Sequence, residues 1–242
     1  MTSAPKTAMV LAAGLGKRMR PITDTMPKPL VKVAGKTLLD WGLDSLALAG
    51  VGKAVVNVHY LPQQIMDHVA SRKTPAIVIS DESDMLLDSA GGIVRALPKL
   101  GPDPFYIINA DTFWIDSGAS NLTRLALAWD EAKMDILLML AGLPSSTGHS
   151  GGTDFLVRSD GRLERSKGDP SGVIYAGAAI VHPRIFKDAP DGPHSLNLYF
   201  DLAIRSGRLH GMTMRGHWIT VGTPDAIALA EAAVGRALAG VS

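Results

Sequence analysis

The chain has 242 residues, of which 46% are hydrophobic and 19% charged, with a formal net charge of +1 at pH 7. That is enough apolar material for a packed core. It is too little net charge for a disordered chain or for a global basic field that would hold nucleic acid. The absence of cysteine excludes disulfides, thiolate metal sites and cysteine nucleophiles, and no apolar run reaches the ~18 residues of a membrane-spanning helix.

The first element is a strand-length apolar run, Ala8–Ala13. It is too short for the apolar region of a signal peptide, so the expected location is cytoplasmic. Ala54–Val58, Ala76–Ser80, Phe105–Asn109 and Ile136–Ala141 are further continuous runs, as expected for strands covered on both faces of a largely parallel sheet. Helical patterns lie between them at Leu38–Ala49, closed by Gly50, at Pro62–Ala70 and at Gly91–Leu97. The alternation predicts an α/β fold with a doubly wound, mostly parallel (mixed), Rossmann-like sheet.

After Ala141 the pattern changes. Gly142–Thr153 reads as a loop, and Phe155–Arg165 and Val173–His182 as shorter strands around a turn at Ser166–Gly172, forming either an inserted sheet region or a small lid. A helix over Ser195–Ser206 and strands near Leu209–Met214 and His217–Val221 follow. The last helix has Thr223 as N-cap, Pro224 at its first position and Asp225 in its first turn, and runs to about Leu238. One domain over residues 1–242 is expected, with its sugar-binding or lid part within about 142–215.

The stretch Leu11–Leu30, LAAGLGKRMRPITDTMPKPL, crowds two glycines, four cations and three prolines behind the first strand. Glycine at that place lets backbone N–H groups approach phosphate oxygens. A dinucleotide fingerprint fails because its third glycine is replaced by Met19, which weighs against a dinucleotide oxidoreductase. A P-loop fails because Gly16-Lys17 is followed by Arg18. Pro21, Pro27 and Pro29 forbid a long helix after the loop, so the segment is expected to stay extended and to present Arg18 and Lys28 from two sides.

The pattern L-A-A-G-x-G-x-R-M-x-P-x-T-x-x-x-P-K-P-L resembles the signature of the sugar-1-phosphate nucleotidyltransferases at every fixed position. The resemblance implies the GT-A-like nucleotidyltransferase fold and a reaction in which a sugar-1-phosphate oxygen attacks the α-phosphorus of an NTP and pyrophosphate leaves. It assigns nucleotide contacts to Leu11, Ala12, Ala13, Gly14, Gly16 and Lys17, holds the triphosphate with Arg18, and puts Lys28 at the reacting centre. Arginine suits forked phosphate contact and lysine a point charge. The implied partners are an NTP and a sugar-1-phosphate, with no nucleic acid and no membrane.

By the same resemblance Asp111, at the end of the run Phe105–Asp111, binds Mg²⁺, which takes one or two carboxylates plus substrate phosphates, and Asn109 lines the same pocket. A second metal-binding aspartate is usual in a stretch like W-x-D-x-G-T, but Trp218–Thr223 carries Thr220 at that place. Either metal affinity is reduced with activity retained, or the chain is a catalytically impaired nucleotide-binding module.

The loop Asp81–Gly92 resembles the part of the family that reads the nucleobase, the base lying against Ala90, Gly91 and Gly92. Glu82 or Asp88 is either an acceptor for a base N–H or a solvated residue at a helix N-terminus. Gly152 and Asp154, and Tyr175 and Gly177, resemble sugar-facing positions, with Asn109 shared; surface turns of the same composition are common. Asn57 and His59 are weaker candidates, a lone histidine there reading as structural, and His217 and Trp218 fit either a strand near the site or plain packing. Within the family the Gln63-Gln64-Ile65 segment and the Arg-Gly-His-Trp ending look most like N-acetylmuramate-1-phosphate uridylyltransferases of cell-wall recycling. That points to UTP and N-acetylmuramate 1-phosphate, while mannose-1-phosphate guanylyltransferases and glucose-1-phosphate thymidylyltransferases look similar.

Overall fold

The structure is a computed structural model and describes residues 4–239. The chain opens with β1 (Thr7–Leu11), and the proline-rich segment after it folds into three short 3-10 turns, Lys17–Met19, Ile22–Asp24 and Lys28–Leu30. The prolines do exclude a long helix, but they leave a string of turns rather than the extended run expected, because proline's fixed φ suits a 3-10 turn as well as a strand. A small hairpin, β2 (Lys32–Val33) and β3 (Lys36–Thr37), leads into α1 (Leu38–Leu48), whose Thr37 hydroxyl caps the Asp40 N–H at 3.0 Å. Then come β4 (Lys53–Val58), α2 (Pro62–Val69), β5 (Ala76–Asp81), α3 (Asp88–Leu100), β6 (Phe105–Asn109), β7 (Thr112–Asp116), α4 (Asn121–Ala128) and β8 (Ile136–Ala141). The second half adds β9 (Ser146–Thr147), the hairpin β10 (Phe155–Val157) and β11 (Leu163–Arg165), β12 (Ile174–Val181), α5 (Asn197–Arg205), β13 (Leu209–Thr213), β14 (Gly216–Thr220) and α6 (Asp225–Ala239).

Seven strands form the main sheet in the order β13-β8-β12-β6-β1-β4-β5. All neighbours are parallel except β12, which runs antiparallel to both β6 and β8. The expected mixed, mostly parallel α/β sheet is what forms. The continuous apolar runs have the cause inferred for them: along β1, Ala8 and Val10 face the cluster holding Leu39, Leu43 and Leu122, while Met9 faces the one holding Ile93, Phe105 and Phe200. Burial of each large aliphatic side chain stabilises by about 1.5–3 kcal/mol, so a strand covered on both faces tolerates no polar alternation.

Three differences from the sequence reading matter for the site. The segment Val173–His182 is not a strand of an inserted region or lid: as β12 it lies in the middle of the main sheet. Its pairing with β8 slips between Tyr175 and Ala179, and Gly177, at φ +74°, takes up the slip; a bulge of this kind re-aims side chains. Within Gly142–Thr153, Ser146 and Thr147 pair in parallel with β14, and β14 pairs antiparallel with β7, making a three-stranded sheet. That sheet packs against α6 and the glycine-rich segment through Met19, Phe113, Ile219, Val221 and Ala230. Finally, α3 is longer at both ends than Gly91–Leu97, starting at Asp88 and accommodating Pro98 in its last turn.

Candidate active site

The sheet order reverses at β1: β4 and β5 lie on one side of it, β6 on the other. In open α/β sheets the crevice beyond the strand ends at such a reversal is where ligands bind. Leu11 and Asn109 are register partners at those ends, and the Ala110 N–H donates to the Leu11 carbonyl at 3.1 Å. The glycine-rich loop and the end of β6 are therefore fastened side by side.

A cleft of about 550 Å³ opens there, lined by Leu11, Ala12, Ala13 and Gly14 on one side and by Asn109 and Asp111 on the other, with Lys28, Asn57, Asp88, Ser89 and Pro193 around it. A second hollow of about 230 Å³ adjoins it, lined by Gly16, Lys17, Arg18 and Gly222, and the two share Gly14, Lys28 and Asp111. A Cβ on Gly14 would meet nothing within 4 Å, so the backbone there is open to a ligand. Gly16 is glycine for another reason: it sits at φ +63°, and a Cβ would lie 3.0 Å from Thr23 and 3.2 Å from the Lys28 stem. The Thr23 hydroxyl and the Met19 N–H both donate to the Gly16 carbonyl at 2.8 Å, which sets the turn.

Lys28 crosses from the loop to the end of β6, where its Nζ meets Asp111 Oδ2 at 2.7 Å; the lysine side chain is 12% exposed and the aspartate 39%. The Asp111 carbonyl accepts from the Val221 N–H at 3.2 Å, which brings the end of β14 alongside. Arg18 lies exposed against Gly222, its guanidinium 3.8 Å from where a Cβ would stand. The arrangement is two loop cations and one ion-paired lysine around a hollow open to solvent, which suits a polyanion.

Thr220, the residue in place of the usual aspartate, pairs with Thr112 across β14 and β7, next to Asp111 in the chain. Among the described residues no three histidines or acids gather where they would hold a metal. Asp111 is the carboxylate available at this corner of the cleft.

The remaining predicted residues fall into two groups. Of the residues expected to face the sugar, Gly152, Asp154, Tyr175 and Gly177 are not among those lining the cleft; Asp154 Oδ2 accepts from the Tyr175 N–H at 2.9 Å, tying the 152–154 turn to β12. The Tyr175 hydroxyl is buried without a hydrogen-bond partner among the described residues, and its ring packs edge-on to Phe200. Burial, and then the Asp111 charge, push the phenol above its ordinary range. A Cβ on Gly177 would stand 2.4 Å from Thr112 Oγ1 and 3.3 Å from Asn109, so the bulge presses directly on the cleft floor. Gly152 is exposed, its carbonyl bonded to His149 Nε2 at 2.9 Å.

Of the residues expected to read the base, Glu82, Ala90 and Gly91 are all buried and outside the residues that line the cleft. The Ala90 and Gly91 N–H groups donate to the His194 carbonyl at 3.0 and 3.2 Å, and a Cβ on Gly91 would stand 2.7 Å from the Gly192 carbonyl. These small residues admit the 192–194 strand of chain against the start of α3. Glu82 turns inward to Asn57, and burial pushes its carboxyl up, against the Asn57 hydrogen bond.

Asn57, Leu86, Ser89, Pro193 and Gly222 line the two hollows without having been singled out as ligand residues. For Asn57 a signal existed: it stands near the C-terminal end of a strand adjacent to β1. Pro193 is contributed by a segment 84 residues beyond the end of β6 at Asn109 and carries no local signal.

Residues 8–142 match the MobA-like NTP transferase domain. The chain belongs to this nucleotidyltransferase family. It is 43% identical to the N-acetylmuramate alpha-1-phosphate uridylyltransferase of Caulobacter vibrioides over 98% of this chain and 100% of that protein. It is 35% identical to the enzyme of the same name from Neisseria meningitidis, over 94% and 98%. The inositol-1-phosphate CTP transferase of T. maritima shares the fold, with a TM-score of 0.78 over 96% of this chain and 98% of that one, at 17% identity.

Proposed function

We propose that this nucleotidyltransferase joins UTP to N-acetylmuramate α-1-phosphate, giving the UDP-sugar and pyrophosphate. The observation that carries the choice of substrates is the extent of the 43% identity, which runs across the acceptor half of the chain as well as the nucleotide half. The cleft supports the reaction class, because it joins a glycine-rich loop with free backbone approach to an ion-paired lysine and two loop cations.

An oxygen of the sugar phosphate forms a bond to the α-phosphorus of the nucleotide as the bond from that phosphorus to the β-phosphate oxygen breaks. Little covalent work falls to the protein, and positioning and charge neutralisation dominate. In this reading Gly14 lets the backbone meet the phosphates, and Lys17 and Arg18 receive the departing pyrophosphate in the smaller hollow. Lys28, set between the hollows, neutralises charge at the reacting phosphorus. Asn109, Asp154, Tyr175 and Gly177 form the sugar side. A Mg²⁺ would be held by Asp111 with the nucleotide's own oxygens, supplying further charge neutralisation at the phosphates. One partly exposed carboxylate with hard oxygen donors suits that cation, and the neutral Thr220 makes the protein's share of the ligands small. Both proposed substrates are polyanions, and no helix among the described residues is long and apolar enough to cross a membrane; a cytoplasmic location goes with this reading.

Pyrophosphate release across a matrix of UTP, GTP, dTTP and CTP against several sugar 1-phosphates tests it. UTP with N-acetylmuramate 1-phosphate is expected to give the highest kcat/KM. A higher value for GTP with mannose 1-phosphate or dTTP with glucose 1-phosphate overturns the substrates. Nucleotide binding without turnover across the matrix overturns the enzyme in favour of a binding module.

A further inference from the structure

Behind the glycine-rich loop lies a chain of buried polar groups that the reaction scheme does not use. The Ala12 N–H donates to Asn57 Oδ1 at 2.7 Å, and Asn57 Nδ2 donates to Glu82 Oε1, also at 2.7 Å. The other Glu82 oxygen accepts from the Leu87 N–H at 3.4 Å. Glu82 is 0% exposed and Asn57 2%. The main chain of Glu82 is held too: its N–H donates to the Val58 carbonyl at 2.8 Å and its carbonyl lies 2.6 Å from His59 Nδ1. The helix packed over the pair leaves room for it only because residue 92 is glycine. A Cβ there would stand 2.5 Å from Glu82 Oε1 and 2.8 Å from Asn57 Nδ2.

Burying a carboxylate and an amide costs several kcal/mol unless both are hydrogen-bonded, and an apolar pair of the same size would be cheaper to fold. The pair connects two walls of the nucleotide cleft: Ala12 belongs to the glycine-rich loop, and Leu87 immediately precedes α3 and the cleft residues Asp88 and Ser89. We infer that Glu82 and Asn57 are positioning residues for nucleotide binding, fixing the glycine-rich loop relative to the start of α3 through the Ala12 and Leu87 amides. This rests on the nucleotidyltransfer reading above.

The arrangement makes an exchange experiment possible. In Asn57→Asp two buried carboxylates face each other. In Glu82→Gln an amide faces either Asn57 or the Leu87 N–H with its donor side. The double variant Asn57→Asp/Glu82→Gln swaps amide and carboxylate: the new carboxylate accepts from Ala12 and from the new amide, whose carbonyl accepts from Leu87, so all the hydrogen bonds reform. Steady-state kinetics with Mg²⁺, UTP and N-acetylmuramate 1-phosphate, read beside thermal melting, separate the roles. Each single variant is expected to raise the UTP KM by roughly tenfold or more, as loss of one buried charged hydrogen bond would, with the sugar-phosphate KM within about twofold of the parent. The double is expected to recover the UTP KM to within about threefold.

Single variants that are folded yet keep the parental UTP KM overturn the inference and leave the pair structural, as does a double that folds but shows no recovery. If the singles do not fold, the double alone decides: recovery supports the inference, and a raised UTP KM or failure to fold contradicts it. A parent protein that binds no nucleotide in the same assay would instead sink the nucleotidyltransfer reading itself.

Discussion

Lys28 Nζ sits 2.7 Å from Asp111 Oδ2 with little solvent around the lysine, so each holds the other's charge in place ahead of any ligand. Both were legible in the sequence, Lys28 through the dense motif around it and Asp111 as a carboxylate ending a buried apolar run. Asn57 and Glu82 were legible as residues but not as roles, because what they touch depends on α3 and the loop packing across them. Thr220 was legible as a departure, and the structure puts it across from Thr112 at the same corner of the cleft. Hence Thr220→Asp adds a hard oxygen ligand beside Asp111, and ligand charge count tunes cation affinity. The half-saturating Mg²⁺ concentration at fixed UTP should fall by roughly tenfold. An unchanged metal titration together with unchanged turnover would show that residue 220 has no part in the metal's surroundings.

At the scale of elements, the strands with continuous apolar runs and the helices with clear starts were readable, since both depend on short-range pattern and capping. β7 and β9 were not: each pairs with β14, seventy residues or more downstream, and a short segment with a remote partner leaves little local trace. β12 was misplaced for the same reason, its run interrupted by the Gly177 bulge. A different long-range device anchors the second half of the sheet. Asp135, just before β8, accepts from Arg184 Nε at 2.5 Å and from Arg208 Nε at 2.9 Å, and both arginines also reach carbonyls of the 131–134 turn. Burial would raise the Asp135 carboxyl, but the hydrogen bonds and charges of the two arginines together outweigh it and hold it below the ordinary carboxylate range. With the folded-state pKa below the unfolded one, the stabilisation is present above the unfolded value, ~4, and is lost as pH falls through the folded value. Asp135→Asn should therefore cost about 1–2 kcal/mol at pH 7, as for a partly solvated charged hydrogen bond, and the difference from the parent should shrink below pH 4. Equilibrium urea unfolding at pH 7 and pH 3.5 checks this; an equal loss at both values would remove the ionic explanation.

For the whole molecule, the sheet does two jobs. Its reversal at β1 creates the crevice, and its antiparallel insertion of β12 between β6 and β8 brings the second half of the chain into the same sheet. The nucleotide half was readable because its motif is local and dense. The second half was less so: Pro193 lines the cleft from a segment with no local motif, and Gly177 comes against Asn109 only through the assembled sheet. The account as a whole stands on cations and one carboxylate handling a triphosphate at that crevice. The most direct measurement is the initial rate of pyrophosphate release from UTP and N-acetylmuramate 1-phosphate by the parent protein and by Arg18→Ala, Lys28→Ala and Asp111→Ala, each first shown to melt cooperatively. The account predicts that each substitution lowers kcat/KM by about 10²-fold or more, the usual loss when one electrostatic partner of a transition state is removed. Parental rates in all three folded variants would contradict it.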